Sequence, residues 1–180
     1  SFNAQNLGAG RQDRIRRGTL KSLLIGIVMC LILGGVGMLM TIKGAYQYVF
    51  MSADKISKYS IHYGNIYLYV DLAMYFLLML LYVLRSGVQG VGHPEFTLLA
   101  GCAELVARTL ICAFLPSIVN GGPIDSSASV GAYIALCFGD PGAWILANAT
   151  LLYPTVRYLL GLKIKRAPRH EIKYTDEPSF

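Results

Sequence analysis

The sequence predicts an all-α membrane protein that crosses the bilayer four times. Of its 180 residues, 54% are apolar and only 14% are charged, and the mean hydropathy is +0.50. Such a balance is typical of integral membrane proteins and not of soluble domains. Four apolar segments are each long enough to cross a ~30 Å hydrocarbon layer as a helix: Leu20–Met40, Ile61–Leu84, Phe96–Val119 and Ala143–Leu162. Residues 19–162 are therefore the predicted membrane domain.

Positive charges at both ends of the chain orient these spans. The basic residues are Arg11, Arg14, Arg16, Arg17 and Lys21 at one end, and Lys163, Lys165, Arg166, Arg169 and Lys173 at the other. By the positive-inside rule both ends are cytoplasmic, as an even number of spans requires. We expect residues 1–18 to be a cytoplasmic connector that includes the end of a truncated preceding helix, and residues 163–180 to be a cytoplasmic basic tail. The expected location is the plasma membrane. The lipid bilayer is a partner and nucleic acid is not, because no aromatic-interleaved basic patch occurs outside the two ends.

The first span carries a set of small residues. Its glycines are Gly26, Gly34, Gly35 and Gly37. Small residues let a second helix approach closely, but membrane helices also tolerate glycine without such a role. Gly44–Ser60, the connector that follows, holds several aromatic residues and is expected to lie outside, at the membrane surface.

An acid lies deep in the second span. Asp71 is about ten residues from the start of that span, roughly half-way across the bilayer. A charge at this depth costs at least ~2.5 kcal/mol, so it needs a functional or a structural reason. Tyr67, Asp71 and Tyr75 recur every four residues and share one face of a continuous helix. Carboxylate and phenol oxygens can bind a cation, and aromatic rings suit an organic cation. The alternative is a hydrogen-bonded carboxyl group that stabilises helix packing.

The third span carries two opposite charges one turn apart. Glu104 precedes Arg108 by four residues, which is the favourable order for an ion pair within a helix. The preferred interpretation is a structural, buried ion pair, since an unpaired acid would be the better ion carrier.

Prolines and one short apolar segment shape the rest of the chain. Pro116 is expected to end or kink the third span, and Pro154 to kink the fourth. Val130–Phe138 is too short to cross, so it is a re-entrant segment, an interfacial segment or the outward continuation of a neighbouring helix. Asp140 is expected to cap the last span, and Trp144 to anchor it at the interface.

The sequence lacks the signatures of an enzyme. It has no nucleophile elbow, phosphate-binding loop or dinucleotide fingerprint. His62, His93 and His170 are scattered along the chain, so neither a metal site nor a cofactor is expected. The cysteines show no CxxC spacing and are interpreted as small packing residues: Cys30, Cys102, Cys112 and Cys137.

Four motifs in order resemble the C-terminal half of a multidrug and toxic compound extrusion (MATE) transporter. They are QNLGAGRQDRIR from Gln5, LRSGVQGVG from Leu84, ELVAR from Glu104 and PGAW from Pro141. The resemblance covers nearly the whole chain. It implies a two-lobe, twelve-helix antiporter that expels cationic amphipathic compounds in exchange for Na+ or H+, with this chain supplying the end of the eighth span and spans nine to twelve. The N-terminal lobe, and any partner acid in its seventh span, would lie in the missing part of the parent chain.

The same resemblance assigns roles to individual residues. Asp71 falls where some members carry an acid that takes part in cation coupling, and Tyr67 matches a tyrosine one turn before it. Many members with the QNLGAG motif lack this acid. Glu104 and Arg108 match a segment whose role is mainly structural.

Two other functions remain open on the sequence. More cationic residues in the cavity of the missing lobe would favour a lipid-linked sugar flippase of the same superfamily, because its substrate carries phosphate. A non-transporting membrane scaffold would use its glycine-rich faces for oligomerisation, and replacing Asp71 would then change assembly instead of transport.

Overall fold

The computed structural model describes residues 1–161, which contain helices and no strands. We number the α-helices in chain order: α1 (Phe2–Gly8), α2 (Gln12–Met40), α3 (Gln47–Phe50), α4 (Lys58–Ala73), α5 (Tyr75–Gly90), α6 (Pro94–Asn120), α7 (Val130–Cys137) and α8 (Gly139–Pro154). Two 3₁₀ turns, Ile42–Gly44 and Ala53–Lys55, flank α3, and a π turn, Thr155–Leu159, follows α8. The fold is all-α, as predicted. The predicted basic tail, residues 163–180, lies outside the described residues.

Within the described residues, three helical segments are long and apolar enough to cross a membrane. They are α2, α6 and the continuous run Val130–Leu159. The pair α4 and α5 passes the same test together, although the two helices meet at an angle of 49°. Counting that bent pair as one span gives four, in agreement with the four predicted segments.

The second span is broken at Met74, where a single continuous helix was expected. Met74 has φ −103° and ψ 7°, outside the helical range, and its N–H contacts both Val70 O and Asp71 O. The four-residue spacing is therefore regular from Tyr67 to Asp71, but Tyr75 starts the next helix beyond the bend.

The helix α2 lies on the outside of the described bundle and packs mainly against α5. Two of its glycines lie at helix contacts. A Cβ at Gly26 would approach Met79 Sδ of α5 to 2.6 Å, and one at Gly37 would approach Leu72 Cδ2 of α4 to 2.9 Å. No atom of the described chain lies within 4 Å of a Cβ built on Gly34 or Gly35. Close helix approach thus accounts for two of the four glycines.

The tightest helix pairing is between α6 and α8. It depends on glycines at the start of α8, because a Cβ on Gly139 would strike Cys112 Sγ and one on Gly142 would strike Ile111 Cδ1. Because these two glycines have no side chain, Cys112 and Ile111 of α6 pack directly against the backbone of α8.

The core lies between α5, α6 and α8, with the start of α2 closing one end. Its most buried members are Ile15, Leu81, Leu84, Val88, Val91, Ala100, Trp144, Ala147, Leu151 and Leu159. Trp144 was predicted to anchor the last span at the membrane interface. This prediction is wrong, since only 5% of the Trp144 surface is exposed. One turn later, the buried Asn148 donates hydrogen bonds to Leu77 O and Trp144 O, both at 2.9 Å.

Residues 1–18 pack onto the bundle. Ile15 is fully buried, Asn3 Nδ2 donates to Gly87 O at 3.3 Å, and Gln12 Nε2 donates to Tyr158 O at 2.8 Å. These contacts join the beginning of the described chain to the end of α5 and to the π turn.

The prolines and the short segment behave differently from one another. The helix α6 continues past Pro116 to Asn120 and ends at Gly121, whose φ of 74° is left-handed. Pro154 coincides with the change from α8 to the π turn, because proline has no N–H for the regular i→i−4 hydrogen bond.

Of the three alternatives for Val130–Phe138, the structure agrees with the outward continuation of a neighbouring helix, since α7 and α8 belong to one run.

Candidate functional site

Ionisable and phenolic side chains from four helices meet at a partly exposed site between those helices. Tyr67 and Asp71 come from α4, Arg85 from α5, Glu104 and Arg108 from α6, and Asp140 from the first turn of α8. We call this set the polar network.

Glu104 lies at one end of the polar network and binds two arginines. Arg85 donates to Glu104 Oε2 at 2.9 Å, and Arg108 donates to Glu104 Oε1 at 3.2 Å. The predicted Glu104–Arg108 pair is therefore present. It is not isolated, because Arg85 ties it to α5.

Arg108 connects Glu104 to Asp140. Arg108 Nε lies 2.8 Å from Asp140 Oδ1, but its N–H is not directed at any acceptor in the described chain. The contact is thus a close ion pair without an aligned hydrogen bond. Asp140 was expected to cap α8. Phe138 occupies the cap position instead and Asp140 lies within the first turn, which leaves its carboxylate to Arg108 and Tyr67.

Tyr67 brings α4 into the network. Its hydroxyl donates to Asp140 Oδ2 at 3.1 Å, across 73 residues of sequence. Both oxygens of Asp140 are therefore engaged, one by a tyrosine on α4 and the other by an arginine on α6.

Asp71 is the member of the polar network that has one oxygen unsatisfied. It follows Tyr67 by one helical turn and lies on the same face of α4. Its Oδ1 atom is buried and has no hydrogen-bond partner within residues 1–161. A buried carboxylate oxygen without a partner is costly, so this atom is the natural place for a cation or a proton.

Tyr75 does not join this arrangement. It begins α5 on the far side of the bend at Met74, and its hydroxyl takes part in none of the hydrogen bonds found among the described residues. The structure thus brings together four of the five residues predicted for the two sites, namely Tyr67, Asp71, Glu104 and Arg108.

The charges of the polar network do not cancel. Two arginines contribute +2, and Asp71, Glu104 and Asp140 contribute −3, which leaves a net charge of −1 when all are ionised. An excess negative charge inside an apolar bundle favours the uptake of one monovalent cation.

Sequence reasoning did not find the roles of Arg85 and Asp140. Arg85 follows a long apolar run and resembles a residue at a membrane boundary, whereas Asp140 precedes a proline as many helix caps do. The one signal in the sequence was charge. Arg85 precedes and Asp140 follows the apolar segment of α6, which carries Glu104 and Arg108 as residues of opposite charge.

Among the described residues, no group of three or more His, Cys, Asp or Glu side chains is close enough to hold a metal ion. Comparison with protein-family models, with curated proteins and with solved structures gave no match. The family resemblance therefore stays a prediction.

Proposed function

We propose that the full-length protein is a secondary antiporter that exports cationic amphipathic compounds in exchange for Na+ or H+, with Asp71 as the ion-binding residue. The observation that carries this proposal is the buried Oδ1 of Asp71, which has no hydrogen-bond partner within residues 1–161 and belongs to a polar network of net charge −1. One bound Na+ or proton would neutralise that charge and satisfy that oxygen.

The break at Met74 supports the proposal. Interrupted helices commonly frame the ion sites of secondary transporters, because backbone groups at the break are free to act as ligands or hinges. The break follows Asp71 by three residues, and α4 and α5 meet there at 49°. Binding at Asp71 can thus bias the angle between the two helices, which is the coupling that alternating access requires.

The site chemistry suits a cationic substrate. One turn before Tyr67 on α4, the ring of Tyr63 packs edge-on against Tyr133 of α7 at a centroid distance of 5.0 Å. The bundle offers carboxylates and aromatic faces, the two groups that attract amphipathic cations. The resemblance to extrusion transporters supports the same substrate class.

Asp71→Asn in the full-length protein tests the proposal. We expect ethidium efflux from proteoliposomes, driven by a Na+ or pH gradient, to fall by at least ~10-fold, because one favourable charge interaction at close range is worth that much. Asp125→Asn is the matched control, since this acid lies in the exposed connector between α6 and α7. Unchanged efflux and ion dependence in the Asp71→Asn protein would refute the assignment.

A scaffold is the second candidate, and one observation favours it. In the described chain, none of the residues in the most apolar 18-residue stretch of α2 is buried, and Gly34 and Gly35 meet no neighbour. That face could pair with a second helix. Under this hypothesis Asp71→Asn changes the oligomeric state in size-exclusion chromatography and leaves efflux absent in both proteins.

A further inference from the structure

We propose that Asp140 is a second ligand of the ion bound at Asp71, and that Arg108 is an internal cation that competes with this ion for the two carboxylates. The inference rests on the proposed function and deepens it. It assigns the selectivity for a single monovalent charge to Asp140 and Arg108, which join the α4 face of Tyr67 and Asp71 from α8 and α6.

Tyr67 links the two carboxylates. It lies one turn before Asp71 on α4 and donates its hydroxyl to Asp140 Oδ2 at 3.1 Å. Asp140 is therefore bound to the residue one turn before Asp71 on the same face of α4, so the two acids repel each other when both are ionised. A cation between two carboxylates and a phenol oxygen removes that repulsion and supplies the missing partner of Asp71 Oδ1.

When the ion is absent, the guanidinium group of Arg108 can reduce the repulsion between the two carboxylates. Its Nε is 2.8 Å from Asp140 Oδ1, on the same carboxylate that accepts the hydrogen bond from Tyr67. The Nε–H is not aligned with an acceptor in residues 1–161, so no directional hydrogen bond fixes the guanidinium against Asp140. Two positive groups, the ion and Arg108, then have one pair of carboxylates to share.

Glu104 provides the position to which Arg108 withdraws. Arg108 already donates to Glu104 Oε1 at 3.2 Å while it contacts Asp140. When the ion arrives, Arg108 needs only to give up Asp140 and keep Glu104. Arg85 holds the other oxygen of Glu104 at 2.9 Å and thus fixes the carboxylate in both states.

Substitutions at Asp140 and Arg108 change the net charge of the polar network in opposite directions. Asp140→Asn removes one acid, so Arg85 and Arg108 (+2) balance Glu104 and Asp71 (−2), and Arg108 is free to pair with Asp71. The double variant Asp140→Asn, Arg108→Gln leaves Arg85 (+1) against Glu104 and Asp71 (−2). The net charge of −1 returns without Asp140.

The experiment measures Na+ binding to the purified full-length protein by titration with NaCl against choline chloride, and efflux of ethidium as a function of Na+ concentration and of pH. We expect the half-saturating cation concentration to rise at least ~10-fold in Asp140→Asn. In the double variant it should recover by a factor of three or more relative to Asp140→Asn, on the order expected for removal of a competing charge. Asp140→Glu keeps the charge and should stay within about threefold of the wild type.

Three results would overturn the inference. Wild-type affinity in Asp140→Asn would show that Asp140 is not a ligand. A double variant no better than Asp140→Asn, with both eluting as the wild type does in size-exclusion chromatography, would show that Arg108 does not compete. A wild-type protein without Na+ or H+ dependence would refute the proposed function and this inference with it, whereas the first two results leave the role of Asp71 intact.

Discussion

The side-chain amide of Gln12 donates a hydrogen bond of 2.8 Å to the main-chain oxygen of Tyr158, 146 residues later in the sequence. The same amide is 3.4 Å from Leu159 O. Both acceptors belong to the π turn after Pro154, where the irregular hydrogen-bond pattern leaves carbonyl groups without regular helical donors. The first turn of α2 thus completes the end of the last described helix.

Gln12→Ala is expected to loosen this end of the bundle. It leaves the Tyr158 carbonyl without its side-chain donor, so the free energy of unfolding should fall by about 0.5–1.5 kcal/mol. Thermal unfolding in detergent measures the change. Arg14→Ala is the control, because Arg14 is exposed on the same helix, and an equal loss in both variants would contradict the assigned role of Gln12.

Within the polar network, Glu104→Gln should destabilise the protein more than Arg85→Gln. Glu104 accepts hydrogen bonds from two arginines, whereas Arg85 makes one contact to one carboxylate. We expect losses of about 1.5–3 kcal/mol for Arg85→Gln and more for Glu104→Gln, because that change leaves two positive charges facing each other. Melting temperatures in detergent give the order, and the reverse order would show that Arg108 alone neutralises Glu104.

The close approach of α6 and α8 predicts a paired effect. Gly139→Ala places a methyl group against Cys112 Sγ and should cost about 1–3 kcal/mol through overpacking. Cys112→Ala in the same protein removes the sulfur atom and should restore most of the loss. Gly101→Ala, where the described chain leaves space within 4 Å, should be neutral or stabilising, since alanine favours helix. Additive losses in the double variant would place the strain elsewhere.

Asp125, in the connector between α6 and α7, is expected to make the stability of the folded protein depend on pH. Asp125 Oδ1 accepts hydrogen bonds from Ser127 N at 2.8 Å and Ser127 Oγ at 2.6 Å, and these bonds hold the pKa of the Asp125 carboxyl group below its usual range. Because the folded pKa is lowered, the stabilisation is present above the unfolded pKa of about 3.9 and is lost as the pH falls through the folded pKa.

Carbon-13 NMR titration of the Asp125 carboxyl group checks this expectation. Ser127→Ala removes the hydroxyl donor and should raise the pKa of Asp125 toward its usual range. Ser126→Ala, at the neighbouring position, should leave it unchanged. Equal titration in all three proteins would show that the turn contributes no electrostatic stabilisation.

The sequence was informative where the signal was local. The third span was predicted at Phe96–Val119 and α6 covers Pro94–Asn120, because a long apolar run is bounded by a proline and by Gly121. The Glu104–Arg108 pair follows in the same way from four-residue spacing in one helix. Both signals need only neighbouring residues.

The features that depend on distant partners were missed. The residues next to Met74 do not predict a break in the helix, since they are apolar and include neither glycine nor proline. Trp144 lies near a helix start, and only the packing of α5 and α6 around it explains its burial. The pairing of Asp140 depends on Tyr67, 73 residues away, and on Arg108.

The spacing of the polar contacts along the chain bears on how the protein enters a membrane during synthesis. Arg85 and Glu104 are 19 residues apart, so they can enter as a neutralised helical hairpin. The hydroxyl of Tyr67 must wait for Asp140, 73 residues later, which at 5–20 residues per second is about 4–15 s of translation. During that interval Tyr67 lacks its partner Asp140, and an intermediate already inserted in a membrane would hold Asp71 without the polar network that later surrounds it.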